Sequence, residues 1–181
     1  MRKPQLIICF GVSGCGKSTV ANRLAQKLNF TYIDADDFHP AENVKHMAAG
    51  NPLTDEMREP WNRSIYTYLE KQVTKEKNCV MAHSCLRKQH RQHFRTLAAD
   101  IHYFHLNGDY PLIFKRMENR NNHYMKETLL ASQFNDFEQY DNEADVVSID
   151  IRFSVDQVVQ HINEHLPVFL SAIEPGEYGN E

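Results

Sequence analysis

One string near the start of the chain carries most of the chemical information. Gly11-Val12-Ser13-Gly14-Cys15-Gly16-Lys17-Ser18 matches G-x-x-x-x-G-K-[ST]. Small residues at these positions let backbone N–H groups converge on phosphate oxygens, and a following helix adds its positive end. Lys17 would place a cation on the β- and γ-phosphates, and the Ser18 hydroxyl would reach Mg²⁺. Gly11, Ser13, Gly14, Cys15, Gly16, Lys17, Ser18 and Thr19 are therefore the expected nucleotide contacts, with ATP and Mg²⁺ as cofactors. The competing reading is a glycine-rich turn that matches by chance. An apolar run before the string and an amphipathic stretch after it argue against chance. The chain lacks the Asp of an N/T-K-x-D guanine motif, since Thr74-Lys75-Glu76-Lys77 is its nearest string, and it has no L-S-G-G-Q. A GTPase and an ABC ATPase are thereby disfavoured, and a small kinase remains.

A second group of reactive residues is Asp34-Ala35-Asp36-Asp37-Phe38-His39-Pro40. Acids at the carboxyl end of a strand beside a phosphate loop face the ligand crevice. Asp34 and Asp36 alternate and can project to one side. One of these acids would hold the metal's hydration shell, and the other would accept a hydrogen bond from an attacking hydroxyl. Alternatively the acids form a turn that caps the next helix, as Asp37 and His39 could do. Arg116 and Arg120 flank a polar stretch, where arginines that neutralise a migrating phosphoryl group are expected. A plain surface pairing with acids such as Glu118 is the alternative.

Elements that must position these residues follow from periodicity. Strands are expected at Leu6–Phe10, Thr31–Ile33, Val80–Ala82, Ile101–Leu106 and Val146–Ile149. Helices are expected at Ser18–Leu28, Glu42–Ala49, Asp55–Thr74, Arg87–Ala98, Pro111–Glu118, Lys126–Phe137 and Val155–His165, with Pro60 marking the start of the third or a kink in it. Strands alternating with helices imply an α/β domain, a parallel five-stranded sheet covered on both faces. Residues 1–166 form this domain, residues about 116–126 are a candidate lid, and residues 167–181 read as a C-terminal tail.

Composition narrows the class. The 181 residues are 41% hydrophobic with net charge −4, which suits one compact core and disfavours a nucleic-acid partner. No apolar run reaches membrane-span length, so no membrane partner is expected. Cys9, Cys15, Cys79 and Cys85 form no C-x-x-C pair and read as free thiols in a reducing, cytoplasmic setting. Ten histidines raise the question of a metal site, but neither H-E-x-x-H nor a completing cysteine set is present.

Beyond these readings, the chain resembles the gluconokinase family of P-loop small-molecule kinases. The resemblance rests on Asp34 to Pro40, Asn43, Met47-Ala48-Ala49-Gly50, Pro52-Leu53, Asp55 and Arg58-Glu59-Pro60-Trp61. It continues through Ser84, Leu86 and Arg91, then Arg116, Arg120, His123, Leu129-Leu130, Ser132-Gln133-Phe134 and Glu138, and so spans about residues 6 to 165. It implies a nucleoside-monophosphate-kinase-like fold with a lid, and transfer of the ATP γ-phosphoryl group to the 6-hydroxyl of D-gluconate. It implies catalytic roles for Lys17, Asp36, Arg116 and Arg120, and substrate contacts from Asp36, His39, Arg58, Ser84, Arg91 and His123. Metal contacts would be Ser18 and Asp34. Arg58 suits a carboxylate-bearing acceptor, because a guanidinium binds a carboxylate bidentately. A homodimer is compatible with the family.

The chain departs from the family pattern at His46, His83, Cys85, Arg87 and His90, and the proline expected after Glu138 is absent. These changes either tune the pocket for a related sugar acid or are drift at tolerant positions. A shikimate-like kinase and a catalytically silent nucleotide-binding protein remain as rivals. The H-P and R-x-P-W strings argue against the first, and retained Lys17, Ser18, Asp34 and lid arginines argue against the second.

Overall fold

The structure, a computed structural model, describes residues 2–118 and 127–167. Its elements in chain order are β1 (Gln5–Phe10), α1 (Lys17–Leu28), β2 (Thr31–Asp34), a 3₁₀ turn (Ala35–Phe38), α2 (Ala41–Ala48), α3 (Asp55–Thr74) and β3 (Cys79–His83). After these come α4 (Lys88–Phe94), β4 (Asp100–Asn107), α5 (Tyr110–Glu118), α6 (Glu127–Asp136), β5 (Val146–Asp150) and α7 (Val155–His165). All five strands are parallel, in the order β2-β3-β1-β4-β5. The connection from β1 runs outward to β2, and β3 returns between them before β4 takes the other side of β1. Such a reversal opens a crevice at the carboxyl ends of the central strands.

Alternation along β1 divides the core. Ile7 and Cys9 face a layer containing Val20, Leu24 and Leu28 of α1 and Val158, Val159 and Ile162 of α7. Leu6, Ile8 and Phe10 face Trp61, Ile65 and Leu69 of α3, which recur every fourth residue, together with Phe94 of α4. Each such side chain, fully buried, contributes about 1.5–3 kcal/mol of transfer free energy.

Three expectations shift. Helix α3 begins at Asp55, with the Thr54 hydroxyl accepting from the Met57 N–H (3.3 Å), and runs on through Pro60. Pro60 therefore does not mark its start. Helix α4 stops at Phe94 rather than Ala98. Thr96 N–H to His93 O and Leu97 N–H to Phe94 O are i→i+3 bonds that tighten its end before β4. The acids after β2 form a 3₁₀ turn that periodicity does not reveal: Asp34 accepts from the Asp36 N–H at 3.1 Å.

A saturated arginine cluster locks α4 to the segment before β5. Arg91 is wholly buried and donates to both oxygens of Glu143 (2.7–3.2 Å), and to the carbonyls of Cys85, Leu86 and Glu138 (2.8–3.1 Å). Arg95 adds bonds to Glu143 (2.6 Å) and Asp145 (2.7 Å). Burial alone would raise the Glu143 carboxyl, but hydrogen bonds and charges from Arg91 and Arg95 outweigh it and hold it below the usual range.

Candidate active site

The loop from Gly11 to Gly16 joins β1 to α1 at the crevice. Gly11 and Gly14 have φ of 145° and 82°, the left-handed region. A Cβ on Gly14 would also lie 2.6 Å from Met117 Cγ. Glycine is thus required there by conformation and by space. Gly16 caps α1 without a side-chain bond, so the first N–H groups of the helix are left to a ligand. Lys17 Nζ donates to the Val12 carbonyl at 3.0 Å, which keeps the ammonium folded along the loop.

On the acid side, a phenol holds the first carboxylate. Tyr32 donates to Asp34 at 2.8 Å, and Ser18 opens α1 near the same phenol. Burial, then the Asp34 bond, pushes the Tyr32 phenol up, and it remains a neutral donor. Among the described residues no group of three or more His, Cys, Asp or Glu could cage a metal. A hydroxyl and one carboxylate close together are a hard-oxygen set of the kind Mg²⁺ uses alongside substrate phosphates.

Between the two sides lies a cavity of about 480 Å³. The loop contributes Ser13 and Lys17, the 3₁₀ turn contributes Asp36, and the chain beyond adds His39, Arg58, Trp61, Ser84, Arg87 and His90. Helix α6 closes one side with Leu129, Ser132, Gln133 and Asp136. An aromatic stack forms one wall: His39 lies on Trp61 (4.1 Å between centroids), and Trp61 lies on His83 (4.6 Å). Trp61 Nε1 is fixed by the Ala35 carbonyl at 2.7 Å. Asn43 Nδ2 approaches His39 Nδ1 (3.4 Å), which leaves Nε2 toward Asp36 Oδ1 (3.7 Å).

At the cavity edge, four charges form a ring. Arg58 bonds Asp55 (3.2 Å) and Asp136 (2.6 Å); Arg87 bonds Asp55 (2.8 Å) and Asp136 (2.9 Å). The ring ties α3, the approach to α4 and α6 at the cavity edge. Burial would raise the Asp136 carboxyl, but bonds and charges from Arg87 and Arg58 keep it below the usual range. Beside the ring, burial and then the Arg58 charge push the His90 imidazole down to about 4, so it is neutral near pH 7. His90 Nδ1 is buried without a hydrogen-bond partner among the described residues.

Comparison with known proteins settles the family. A family model described as an AAA domain matches residues 6–141. The thermosensitive gluconokinase of Escherichia coli K12 is 38% identical over 162 residues, which cover 87% of this chain and 84% of that protein. The chain belongs to the gluconokinase family. Among solved structures, a gluconokinase from Sinorhizobium meliloti superposes with TM-score 0.78 at 30% identity, covering 88% of this chain and 90% of that one. An unliganded sugar kinase from a Janibacter species gives 0.83 at 30%, covering 90% and 93%.

Set in this gluconokinase-family frame, the expected site residues separate. Ser13, Lys17, Asp36, His39, Arg58 and Ser84 line one cavity. Asp34 accepts from Tyr32, Ser18 lies in the first turn of α1 after the phosphate loop, and Arg116 donates to the Ile151 carbonyl and does not line the cavity. Arg120 and His123, with lid residues 119–126, lie outside the described residues, as do tail residues 168–181.

Arg91 is corrected. It does not line the cavity, and its guanidinium is committed to Glu143 and three carbonyls in the core. The departures from the gluconokinase pattern also sort themselves. His83 and Cys85 are buried beneath the wall, where His83 Nδ1 accepts from the Cys85 N–H (2.9 Å) and Nε2 faces Asn62 Oδ1 (3.0 Å). His46 holds the Pro52 carbonyl at 3.1 Å. Only Arg87 and His90 of this set face the cavity. Sequence reasoning assigned no role to Arg87, Gln133 or Asp136. The S-Q-F string was a signal for Gln133, whereas the pairing of Asp136 with Arg58 spans 78 positions and has no local signature.

Proposed function

We propose that the chain transfers the γ-phosphoryl group of ATP to the 6-hydroxyl of D-gluconate, giving 6-phospho-D-gluconate and ADP. The observation that carries this reading is one cavity that joins phosphate-loop residues Ser13 and Lys17 to Asp36 and to the paired guanidinium groups of Arg58 and Arg87. An acceptor with a hydroxyl at one end and a carboxylate at the other matches that polarity.

In the reaction the acceptor oxygen forms a bond to the γ-phosphorus as the bond to the bridging oxygen of ADP breaks. Asp36 orients the hydroxyl and takes its proton. Lys17 leaves the Val12 carbonyl and neutralises the phosphates. The Trp61–His39 wall gives the carbon chain an apolar surface that limits water in the cavity. Ser18 and Asp34 are the residues that would hold Mg²⁺, which when bound neutralises phosphate charge. Arg120 is assigned the transition-state charge, Arg116 a catalytic role in neutralising the migrating phosphoryl group, and His123 an acceptor contact. The four buried free cysteines fit a cytoplasmic setting, and no described helix is long and apolar enough to cross a membrane.

A coupled ADP-release assay across gluconate, idonate, glucuronate, shikimate and nucleoside monophosphates tests the proposal. Gluconate is expected to lead in kcat/KM by about tenfold or more. Preference for shikimate or a nucleotide, or ADP release that ignores the acceptor, would overturn it.

A further inference from the structure

Helix α6 is held at two points, and both holds sit where a ligand of the proposed reaction would bind. At the first, the Ser13 N–H donates to Gln133 Oε1 at 2.6 Å, and Gln133 Nε2 reaches Ser13 Oγ at 3.2 Å. Ser13 belongs to the loop whose N–H groups bind phosphate, and with Lys17 it is a loop residue that lines the acceptor cavity. That places it toward the phosphate that is transferred. Three residues further along α6, on the same helix face, is the second hold, where Asp136 occupies Arg58 and Arg87 at 2.6 and 2.9 Å.

We propose that α6 couples the two ligands, with Gln133 as a positioning residue that occupies the γ-phosphate's N–H on Ser13 and yields it when ATP binds. The inference rests on the gluconate-kinase reading above. A phosphate oxygen is charged and the Gln133 amide is neutral, so the phosphate forms the stronger bond to the same N–H. At the other end an acceptor carboxylate competes with Asp136 for guanidinium donors. Both holds restrain one helix, so displacing either one shifts α6 and loosens the other, and the second ligand meets a weakened hold. Each ligand therefore strengthens the other's binding, by the same factor in both directions. ADP has no γ-phosphate and leaves the Gln133 hold in place. The helix would thus favour a cavity that is rearranged only when donor and acceptor are both present, which opposes transfer to water.

The test is calorimetry on the full chain, with a non-hydrolysable ATP analogue and with ADP, each with and without saturating D-gluconate. In the wild type, gluconate should tighten the analogue about fivefold or more, and ADP by no more than about twofold. Gln133→Ala should bind the analogue more tightly than the wild type when gluconate is absent, and its coupling should fall to about twofold or less. Gln133→Glu keeps an acceptor on Ser13 and sets a negative charge against the γ-phosphate, so it should weaken the analogue and spare ADP. If Gln133→Ala retains the wild-type coupling, or if ADP couples as strongly as the analogue, the inference is overturned while the gluconate reading stands. Wild-type protein that binds the analogue but never gluconate overturns both.

Discussion

Two arginine–carboxylate clusters draw on α4 and its two caps, and they differ in what remains available to a ligand. The inner cluster, Arg91 and Arg95 with Glu143 and Asp145, is capped by backbone carbonyls, and the Arg91 side chain has no exposed surface. The outer ring, Arg58 and Arg87 with Asp55 and Asp136, borders the cavity, and its side chains keep 13% and 30% exposure at the two arginines. Both arrangements use the same chemistry. A guanidinium that already serves two carboxylate oxygens and three carbonyls is a structural member. One that serves only carboxylates at a cavity edge can exchange a partner for a ligand. Each cluster also has a neutral histidine beside it. Burial and then an arginine charge lower His105 (by Arg91) and His90 (by Arg58), each to about 4.

The predicted effects rank the regions. Lys17→Ala should lower kcat by about 10³-fold or more in a folded protein, because no other loop cation faces the β- and γ-phosphates. Circular dichroism with steady-state rates checks this, and near-normal kcat would remove the kinase mechanism for both clusters. Arg91→Ala should cost about 3–5 kcal/mol of stability, by leaving buried Glu143 with Arg95 alone and the carbonyls of Cys85, Leu86 and Glu138 without their donor. Urea unfolding measures that loss; the folded fraction should keep its KM for gluconate, and a selective rise in KM would return Arg91 to the binding site. In a double-mutant cycle, Arg58→Ala and Arg87→Ala should be non-additive by about 0.5–3 kcal/mol in kcat/KM, since they share Asp55 and Asp136. Strict additivity would show that the ring does not act as a unit.

The smallest effect is the pH dependence. His90 and His105 have folded pKa values of about 4, below the ordinary value near 6.5, so the unfolded chain takes up protons first as pH falls. Stability should be full above about pH 7 and decline progressively toward pH 4. The depressed Asp136 and Glu143 carboxyls add a further loss below the usual carboxylate range. Urea midpoints at pH 7.5 and 5.0 should show the decline, and His90→Phe and His105→Phe should each flatten it. Equal midpoints would mean that neither histidine is held neutral.

Much of this was legible in the sequence, for identifiable reasons. Gly11 to Ser18 is a local string whose chemistry depends on spacing alone, and β1, α1 and α3 announce themselves through apolar periodicity. Asp36, His39 and Arg58 were reachable because they sit in one short stretch with a recognisable pattern. Assigning Arg91 to the acceptor failed because proximity to a motif carries no information about hydrogen-bond saturation, which here comes from Glu138 and Glu143, about fifty residues away. Asp136 and Gln133 were missed for the same reason, since their partners Arg58 and Ser13 are 78 and 120 positions distant. The early end of α4 depends on 3₁₀ bonds at Thr96 and Leu97, which helical periodicity does not distinguish from a continuing helix.

The central claim is that the outer cluster reads the carboxylate of the acceptor. Steady-state rates with D-gluconate and with uncharged D-glucitol, in the wild type and in Arg58→Ala, test it most directly. The wild type should prefer gluconate, and Arg58→Ala should lose about 2–3 kcal/mol of kcat/KM for gluconate while its rate with glucitol changes little. An Arg58→Ala protein that discriminates between the two acceptors as the wild type does would contradict the account.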